Sequence, residues 1–325
     1  MKKKERVTIK DIAKIANVTP QTVSRALRDA SDISQATKAR IFEIADSLNY
    51  LKNSTASALR GGSTHLIAVV YDELKNFYYS IMIDYIQSCL QERGFSILAF
   101  SHRYSFLTKE TYLDVISHNV DGIISFLEPN EEIAGLIESY HIPVLLFGRR
   151  TELKNVDCIY TDDYTGGGLV AQKFIDNGCK KPAFITVPDN LACVRDRLAG
   201  FKIPFQERDF APVRICNKEW DFEKKVIDLF KDKNDMPDCI FCFNDMLAFE
   251  VLWIMEKNSL PSVSVIGYDN IQEQVHLPFR LTTIGTDIRV MVEHGVDLML
   301  ARVEGDDSPE FMKQEPVFLV EGTTA

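Results

Sequence analysis

Apolar and polar residues follow two different patterns along the chain. Between residues 8 and 49, apolar residues recur every three or four positions in three short segments, which predicts three short helices. Beyond residue 64, strand-sized apolar runs alternate with helical patterns. The sequence therefore predicts an all-α head followed by an α/β body.

The head has the capping residues of a helix-turn-helix. Thr8 and Asp11 fit a capping box at the start of the first helix, and Asn17-Val18 supplies a turn. Thr19 is a good N-cap for the second helix, because Pro20 then occupies the favoured first helical position. Two short helices joined by a tight turn and braced by a third, which Ser34 caps, form a helix-turn-helix.

Seven strand-like runs mark the body. They cover residues 66–71, 96–100, 122–126, 143–147, 183–187, 239–243 and 263–268. Helical patterns lie between most of them, for example at 77–93, 166–177, 245–257 and 287–303. Such alternation predicts doubly wound parallel sheets with helices on both faces, and the length of the body favours two lobes with a cleft over one sheet.

Composition and charge divide the chain at the same place as the pattern. The 325 residues carry a net charge of −10, and an apolar fraction of 46% excludes a disordered chain. The first 62 residues hold 12 basic and 6 acidic side chains, a net +6, which leaves 25 basic and 41 acidic side chains and −16 for the remainder. A basic head on an acidic body is typical of a nucleic-acid-binding module joined to another domain.

The exposed face of the second predicted helix suits major-groove readout. Gln21 and Arg25 lie four residues apart, and Gln can bind adenine while Arg binds guanine, each worth about 1–3 kcal/mol of discrimination. Hydroxyl groups suited to phosphate contacts that fix the register are those of Thr8, Thr19, Thr22 and Ser24, and the predicted surface also includes Pro20 and Arg28. A solvated polar face would explain any one of these residues, but the set and the local charge predict a DNA-binding surface.

The motifs of the head closely resemble the LacI/GalR family of bacterial transcription regulators. They are VTIKDIA at 7–13 and VTPQTVSRAL at 18–27, and the resemblance continues through residues 48–50 to Asn53, Ala56 and Leu59. In that family the segment after the third helix forms a hinge helix on the operator, and a leucine, here Leu59, wedges into the minor groove. Packing of the linker is the alternative role of Leu59. Lys52 departs from the family, which usually has proline there.

Polar side chains directly follow four of the predicted strands of the body. Asp72, Arg149, Asn244 and Asp269 occupy these positions, and ligands in open parallel sheets bind at the carboxyl ends of strands. Arg197 can fork onto a hydroxyl pair or an anionic group. Four aromatic residues could offer flat walls for a ligand: Phe77, Tyr78, Tyr79 and Trp220. Core packing is the more usual role of any one of them.

The body also resembles the effector-binding region of the same family. Matching motifs include VDGII at 120–124, RDRLAGF at 195–201, FND at 243–245 and VIGYD at 265–269. The resemblance implies a fold like that of periplasmic sugar-binding proteins, with two lobes linked by three crossovers. The effector contacts that it implies are Asp72, Phe77, Tyr78, Arg149, Arg197, Trp220, Asn244 and Asp269.

Catalytic and metal-binding motifs are missing from the sequence, so we expect neither an enzyme nor a cofactor or metal. Gly166-Gly167-Gly168 lacks the spacing of a phosphate-binding loop and instead predicts close packing of a helix on a strand. Cys239 and Cys242 lie three apart on a predicted strand and should point to opposite faces. The six histidines show no metal-ligand spacing.

These observations predict three domains. A helix-turn-helix domain occupies residues 1–52, a hinge helix and linker 53–63, and an effector-binding and dimerisation domain 64–325. The first lobe of that domain spans about 64–160 plus 288–320, and the second spans 161–287. The apolar runs are shorter than the ~20 residues of a membrane span and no secretory signal is evident, so we expect a cytoplasmic protein without a membrane partner.

The sequence thus predicts a transcription repressor that binds double-stranded operator DNA as a homodimer. A small effector in the interlobe cleft would control operator affinity, with a sugar favoured and a sugar phosphate or nucleoside also fitting. Some members of the family respond instead to a protein corepressor. The alternative, a sugar-binding protein without a DNA role, leaves the basic helical head unexplained.

Overall fold

The computed structural model describes residues 7–27, 29–48, 50, 63–102, 106–187, 191–206, 213–216, 221–274 and 279–325. The chain divides into two compact units, Met1–Thr64 and His65–Ala325, called here the head and the body. Most of the predicted hinge lies outside the described residues. No helix in the described part of the chain is both long and apolar enough to cross a membrane.

The head contains the three predicted helices, α1 (Ile9–Ala16), α2 (Pro20–Ala26) and α3 (Gln35–Ser47). The predicted caps are confirmed: the Thr8 backbone N–H donates to Asp11 Oδ2 at 2.8 Å, and Thr19 Oγ1 accepts from the Thr22 N–H at 3.1 Å. Ser34 Oγ likewise accepts from the Thr37 N–H at 3.2 Å.

The turn between α1 and α2 starts at Asn17, whose left-handed φ of 49° ends α1. Apolar stripes of the three helices meet in one small core that contains Ile12, Val23 and Ile41, all of them fully buried. This shared core fixes the position of α2 within the head.

The first half of the body is built on a six-stranded parallel sheet, called here sheet A. Its strands are β1 (Leu66–Tyr71), β2 (Ser96–Ser101), β4 (Gly122–Ser125), β6 (Val144–Phe147), β7 (Val156–Thr161) and β13 (Met312–Glu315), in the order β13-β7-β6-β4-β1-β2. Two short strands, β3 (Phe106–Leu107) and β5 (Glu128–Pro129), pair with each other beside it.

Helices cover both faces of sheet A. One face packs against α4 (Phe77–Glu92) and α11 (Ile288–Val303), and the other against α5 (Lys109–Ser117) and α6 (Glu131–Tyr140). Residues that face helices on both sides must be apolar throughout, which is why the central strands appear in the sequence as continuous apolar runs.

The second half of the body is built on another six-stranded sheet, called here sheet B. Its strands are β8 (Pro182–Thr186), β9 (Val213–Cys216), β10 (Cys239–Cys242), β11 (Ser264–Tyr268), β12 (Thr282–Gly285) and β14 (Phe318–Val320), in the order β14-β12-β11-β10-β8-β9. Helices α7 (Asp163–Asp176) and α8 (Ala192–Gln206) cover one face, and α9 (Phe222–Asp228) and α10 (Asp245–Lys257) cover the other.

The chain passes between the two sheets three times: after β7, after β12 and between β13 and β14. The predicted architecture of two doubly wound parallel sheets is therefore confirmed. The predicted end of the first lobe at residue 320 is wrong, because β14 belongs to sheet B. There β14 pairs antiparallel with β12, with Val320 opposite Thr283, and so covers the edge of that sheet.

Two smaller predictions can be compared with the packing of sheet B. Cys239 contacts the apolar cluster beneath α7 and α8, whereas Cys242 contacts the cluster beneath α10, so the two thiols do point to opposite faces. A Cβ on Gly166 would collide with the Tyr268 ring of β11, as the predicted helix-to-strand packing requires. Gly167, however, lies against the α8 backbone at Arg197, so it permits the close approach of two helices.

Candidate functional site

The predicted DNA-binding side chains lie mainly on the exposed side of α2. Gln21 and Arg25 are both exposed, as are Pro20 and the N-cap Thr19, whereas Thr22 is half-buried. Since Gln21 and Arg25 are four residues apart on one helix, their side chains project from neighbouring positions of one face. The head therefore presents a planar amide from the first turn of α2 and a planar guanidinium from its last turn on one exposed face.

Arg25 has a partner that the sequence did not predict. Its guanidinium contacts the Asp32 carboxylate, with Nη2 to Oδ1 at 2.7 Å and Nε to Oδ1 at 3.2 Å. The hydrogen bond from Arg25 lowers the pKa of Asp32 below its usual value. Because both side chains remain exposed, the pair orients the guanidinium without removing it from solvent.

Ser24 departs from the predicted set of phosphate contacts. Ser24 is buried beside Val23 on α2. Because α2 packs against both α1 and α3, its buried face is wide enough to include adjacent positions. The Thr8 hydroxyl is exposed but donates to Asp11 Oδ2 at 2.7 Å. Arg28, Asn53, Ala56 and Leu59 lie outside the described residues, and their roles stay predictions.

A cavity lies in the body at the carboxyl ends of strands from both sheets. This is the position at which ligands bind in open parallel sheets. Residues of sheet A and its connections that line the cavity are Asn76, Tyr78, Tyr79, Phe126, Phe147, Gly148, Arg149 and Thr161. Those that follow in the chain are Cys193, Arg197, Phe243, Asn244, Tyr268, Asp269, Ile284, Gly285, Thr286 and Val317.

Five of the eight predicted effector contacts lie together in this lining: Tyr78, Arg149, Arg197, Asn244 and Asp269. Two do not. Phe77 is the first residue of α4 and is 44% exposed outside the lining, and Asp72 precedes the loop to that helix. Trp220 lies outside the described residues.

Arg197 is held by partners within the protein. Its Nε donates to Asp163 Oδ1 at 2.8 Å and its Nη1 to the Phe243 carbonyl oxygen at 2.5 Å. The guanidinium also lies over the Tyr268 ring, 3.5 Å from its centroid. A buried guanidinium requires such pairing, so Arg197 fixes the relative positions of α7, α8 and the ends of β10 and β11.

Asp269 ends β11 in an unusual backbone conformation. Its φ is 105°, in the region that favours glycine, and such strain persists where the surroundings determine the position of a side chain. Burial raises the pKa of Asp269 to about 7. The positive charge of Arg197 opposes this shift, and the negative charge of Asp163 adds to it. The Asp269 carboxyl, 3.9 Å from Arg197 Nη2, is thus a hydrogen-bonding group that is easily protonated.

Asn244 and Asp245 follow β10 and have different roles. Asn244 is the N-cap of α10, because its Oδ1 accepts from the Leu247 N–H at 2.9 Å, and it lines the cavity. The fully buried Asp245 instead accepts from Thr283 Oγ1 at 2.5 Å and from the Ile271 N–H at 2.9 Å. It therefore connects β12 with the loop after β11.

Sequence reasoning missed a residue that supports the cavity and several that line it. Asp163, the first residue of α7, is the buried partner of Arg197, and their separation of 34 positions leaves no local signal of the pairing. Phe126, Phe147 and Tyr268 line the cavity at the ends of apolar strands, where the sequence shows only core residues. Tyr79, which the sequence offers as a wall residue, does line it.

Contacts on the rim connect the parts of the body built on the two sheets. Arg150, after β6, makes hydrogen bonds of 2.9–3.1 Å with both carboxylate oxygens of Asp196 on α8. Elsewhere, Gln274 Nε2 donates to Tyr85 Oη on α4 at 2.8 Å. Both contacts depend on the present relative position of the two halves.

Among the described residues, one group has metal-ligand proximity: Cys179, Asp238 and Cys239. The Asp238 carboxylate already accepts the backbone N–H groups of Lys180 and Lys181, each at 2.8 Å. Burial raises the pKa of both thiols, which keeps them protonated and poor ligands. These three residues do not form a convincing metal site.

Comparisons with known proteins agree with both units. Residues 8–53 match the family model of bacterial regulatory proteins, lacI family, and residues 171–325 match that of the periplasmic binding protein-like domain. The HTH-type transcriptional repressor PurR of Vibrio parahaemolyticus is 27% identical over 333 residues, which cover 97% of this chain and 98% of that protein.

Solved structures show the same fold. A lac repressor dimer bound to operator and the anti-inducer ONPF has a TM-score of 0.83 at 24% identity, and covers 98% of this chain and 99% of its own. A periplasmic binding protein/LacI transcriptional regulator from Alkaliphilus metalliredigens, complexed with D-xylulofuranose, has a TM-score of 0.68 at 27% identity. That match covers 80% of this chain and 99% of the regulator.

Proposed function

We propose that this chain, whose residues 8–53 match the lacI family of bacterial regulatory proteins, represses transcription by binding operator DNA and changes its operator affinity in response to a small effector. The observation that carries the proposal is the joint exposure of Gln21 and Arg25 on α2 of a complete helix-turn-helix. The body cavity provides the place for an effector.

In the proposed complex α2 lies in the major groove. Arg25 binds guanine and Gln21 binds adenine, while the exposed groups around the N-terminus of α2 fix the register through phosphates. Asp32 has a role in this step, since its Oδ1 lies 2.7 Å from Arg25 Nη2 and orients the guanidinium before DNA binds. A guanine base then competes with this carboxylate for the guanidinium, and the carboxylate is exposed to solvent.

The cavity offers groups suited to a hydroxylated ligand. Asp269 accepts hydrogen bonds, the Asn244 amide donates, and aromatic rings such as Tyr78 provide apolar walls. The relative from Alkaliphilus metalliredigens binds D-xylulofuranose, and a sugar or sugar derivative is the effector class proposed here. A concave site lined by both aromatic and polar side chains favours a small molecule over a protein corepressor as the primary signal.

The proposed response is a change in the relative position of the two halves of the body. An effector that contacts groups after strands of both sheets stabilises one arrangement, and it shifts the equilibrium only by its difference in affinity for the two. The Arg150 to Asp196 contact would form in one arrangement and break in another. By linkage, operator DNA and effector then alter each other's affinity by the same factor.

We also propose a homodimer. One head reads a short half-site, and two-fold pairing doubles the sequence that is read. The lac repressor of similar fold is a dimer on its operator. The body exposes large apolar side chains that a second copy would cover, among them Trp253 at 55% and Phe279 at 39% exposure. Binding to operator DNA places the dimer in the cytoplasm.

A gel-shift titration tests this function. The full chain should bind the DNA upstream of its own gene with a preference over random DNA, and the affinity should fall steeply with salt as cations compete for phosphate. Arg25→Ala should lose roughly 5- to 150-fold on the preferred sequence and much less on random DNA. Equal losses on both would refute the role of Arg25.

The main alternative is a sugar-binding protein without a DNA role. It accounts for the body but not for the head, whose capping, core and exposed basic face form a complete DNA-reading unit. Sugar binding without any salt-sensitive, sequence-preferring binding to DNA would favour this alternative.

A further inference from the structure

The residue that is proposed to read guanine is paired with an acidic side chain. Asp32 lies in the loop between α2 and α3, and its Oδ1 is 2.7 Å from Arg25 Nη2. DNA is a polyanion, so a carboxylate beside the readout helix opposes the approach of phosphate groups. The pair therefore reduces the general attraction of α2 for DNA, although the head as a whole is basic.

The loop that carries Asp32 is fixed within the head. The Ala30 N–H donates to the Arg25 carbonyl oxygen at 3.0 Å, which ties the loop to the last turn of α2. From α3, Lys38 Nζ donates to the Asp29 carbonyl oxygen at 3.2 Å and forms an ion pair with the Asp29 carboxylate. The Lys38 side chain is only 7% exposed, so this anchor belongs to the folded interior of the head.

Asp32 occupies one edge of the Arg25 guanidinium. Its Oδ1 accepts from Nε at 3.2 Å and from Nη2 at 2.7 Å, which together form the side edge of this planar group. In the part of the chain that the structure describes, Nη1 has no hydrogen-bond partner. A guanine base presents two neutral acceptors, O6 and N7, which match the edge formed by Nη1 and Nη2. Guanine therefore competes with Asp32 only at Nη2, which has two hydrogen atoms.

A phosphate group is repelled at the same place. Its oxygens carry a full negative charge, and the juxtaposition of like charges is unfavourable. The hydrogen bond from Arg25 lowers the pKa of Asp32, so the carboxylate is ionised at neutral pH. Both partners of the pair are about half exposed, so salt screens this repulsion only in part over a few ångströms. Asp32 therefore weakens the binding of Arg25 to phosphate more than its binding to guanine.

We propose that Asp32 is a specificity-determining residue of the head: it permits Arg25 to bind a guanine base and disfavours the binding of Arg25 to phosphate. The inference rests on the proposed function, since it requires α2 to read operator DNA. On a wrong sequence Arg25 lacks its guanine, and Asp32 prevents it from regaining that affinity on the DNA backbone. The alternative is an ordinary surface ion pair, which affects folding slightly and sequence preference not at all.

The test measures the affinity of the full-length protein for duplexes that differ by one base pair. The parent duplex is selected by the wild-type protein from a randomised pool, and each G·C pair is then replaced by A·T. The pair that Arg25 reads is the one whose replacement no longer matters in Arg25→Ala. Wild type should lose roughly 5- to 150-fold at this pair. In Asp32→Asn the loss should be smaller by a factor of about 5, because Arg25 can bind phosphate instead.

A second measurement follows the binding of a scrambled duplex at several salt concentrations. Asp32→Asn should bind this duplex about 5-fold more tightly than wild type. The slope of log affinity against log salt should become steeper by about 0.9, the value for one added phosphate contact. A purely structural role of Asp32 would leave this slope unchanged.

Matched variants separate this role from a general effect of charge. Glu43→Gln removes an exposed carboxylate from α3 and should bind all duplexes slightly more tightly, with the full loss retained at the pair that Arg25 reads. Asp32→Glu keeps the charge and should keep most of that loss. Asp32→Ser is a second neutral variant, and far-ultraviolet circular dichroism shows whether each variant is folded. In Arg25→Ala, adding Asp32→Asn should leave the salt slope unchanged.

The inference is overturned if folded Asp32→Asn and Asp32→Ser both retain the full loss, if Glu43→Gln reduces it equally, or if no G·C pair depends on Arg25. A wild-type protein that selects a sequence, together with Asp32 variants of unchanged preference, would refute this inference alone. A wild-type protein that selects no sequence from the pool would refute the proposed function and this inference with it.

Discussion

Replacing Asp269 with asparagine should stabilise the ligand-free body, and increasingly so as the pH rises. Burial raises the pKa of this carboxyl from 3.8 to about 7. The folded state therefore keeps a proton that the unfolded chain releases between these values, so ionisation of Asp269 opposes folding. This contribution is small below pH 4, grows as the pH rises towards 7, and is constant above that.

The magnitude follows from the shift. At about 1.4 kcal/mol per pKa unit, ionising Asp269 costs at most roughly 4 kcal/mol of the free energy of unfolding above pH 8, of which roughly 3 kcal/mol develops between pH 5 and pH 8. The carboxyl is only 12% exposed, so little of this is screened by solvent. Asparagine keeps the shape and carries no charge, so Asp269→Asn should lack this loss.

Urea unfolding at pH 5, 6, 7 and 8 measures the effect. Both tryptophans, Trp220 and Trp253, belong to the body, so their fluorescence follows the unfolding of that unit. The stability difference between Asp269→Asn and wild type should widen with pH, while Asp84→Asn, which removes an exposed carboxyl from α4, is the control. A difference that is the same at all four pH values would show that Asp269 is ionised normally and that the reasoning is wrong.

Three further predictions concern packing, capping and the rim of the cavity. Gly167→Ala should lower the free energy of unfolding by about 1–3 kcal/mol, since its Cβ would collide with the α8 backbone. The control, Gly135→Ala on an open face of α6, should be neutral or raise the free energy of unfolding by up to about 1 kcal/mol. Thr19→Ala should lower the free energy of unfolding of the head by about 1 kcal/mol, because it removes the N-cap oxygen that accepts from the Thr22 N–H. The melting temperature measured by far-ultraviolet circular dichroism should fall, and an unchanged melting curve would contradict the role of this cap. In a double-mutant cycle, Arg150→Ala and Asp196→Ala should couple by about 0.2–1 kcal/mol in unfolding, because the pair is partly exposed. Strictly additive effects would contradict a stabilising contact between them.

The central strands were predictable from sequence because both of their faces are buried. Residues 66–71 and 144–147 are uniformly apolar, and the structure has strands there. The edge strand β13 has the sequence Met-Lys-Gln-Glu and β7 contains Asp157, so neither shows a continuous apolar run. Asp157 is buried with Arg302, 145 residues away, donating to both of its oxygens and the Phe311 N–H donating to one, pairings that no local pattern reveals.

The position of the cavity was predictable for a related reason, whereas its charge balance was not. Polar residues after strands meet at one edge of a parallel sheet, which placed Arg149, Asn244 and Asp269 together. The direction of a side chain at a helix start is less constrained by sequence, and Phe77 accordingly lies outside the lining. The ion pair of Arg197 depends on Asp163, a residue whose position is set by the contact between α7 and α8.

Arg197 lines the cavity and has partners within the protein that its sequence position does not reveal. It uses its guanidinium on Asp163 and the Phe243 carbonyl group, so replacing it would leave a buried carboxylate unpaired and weaken the wall itself. Substitutions at Arg197 should therefore lower the free energy of unfolding together with effector binding. A residue that matches a family's ligand contact is thus assigned a role only when its partners within the protein are known.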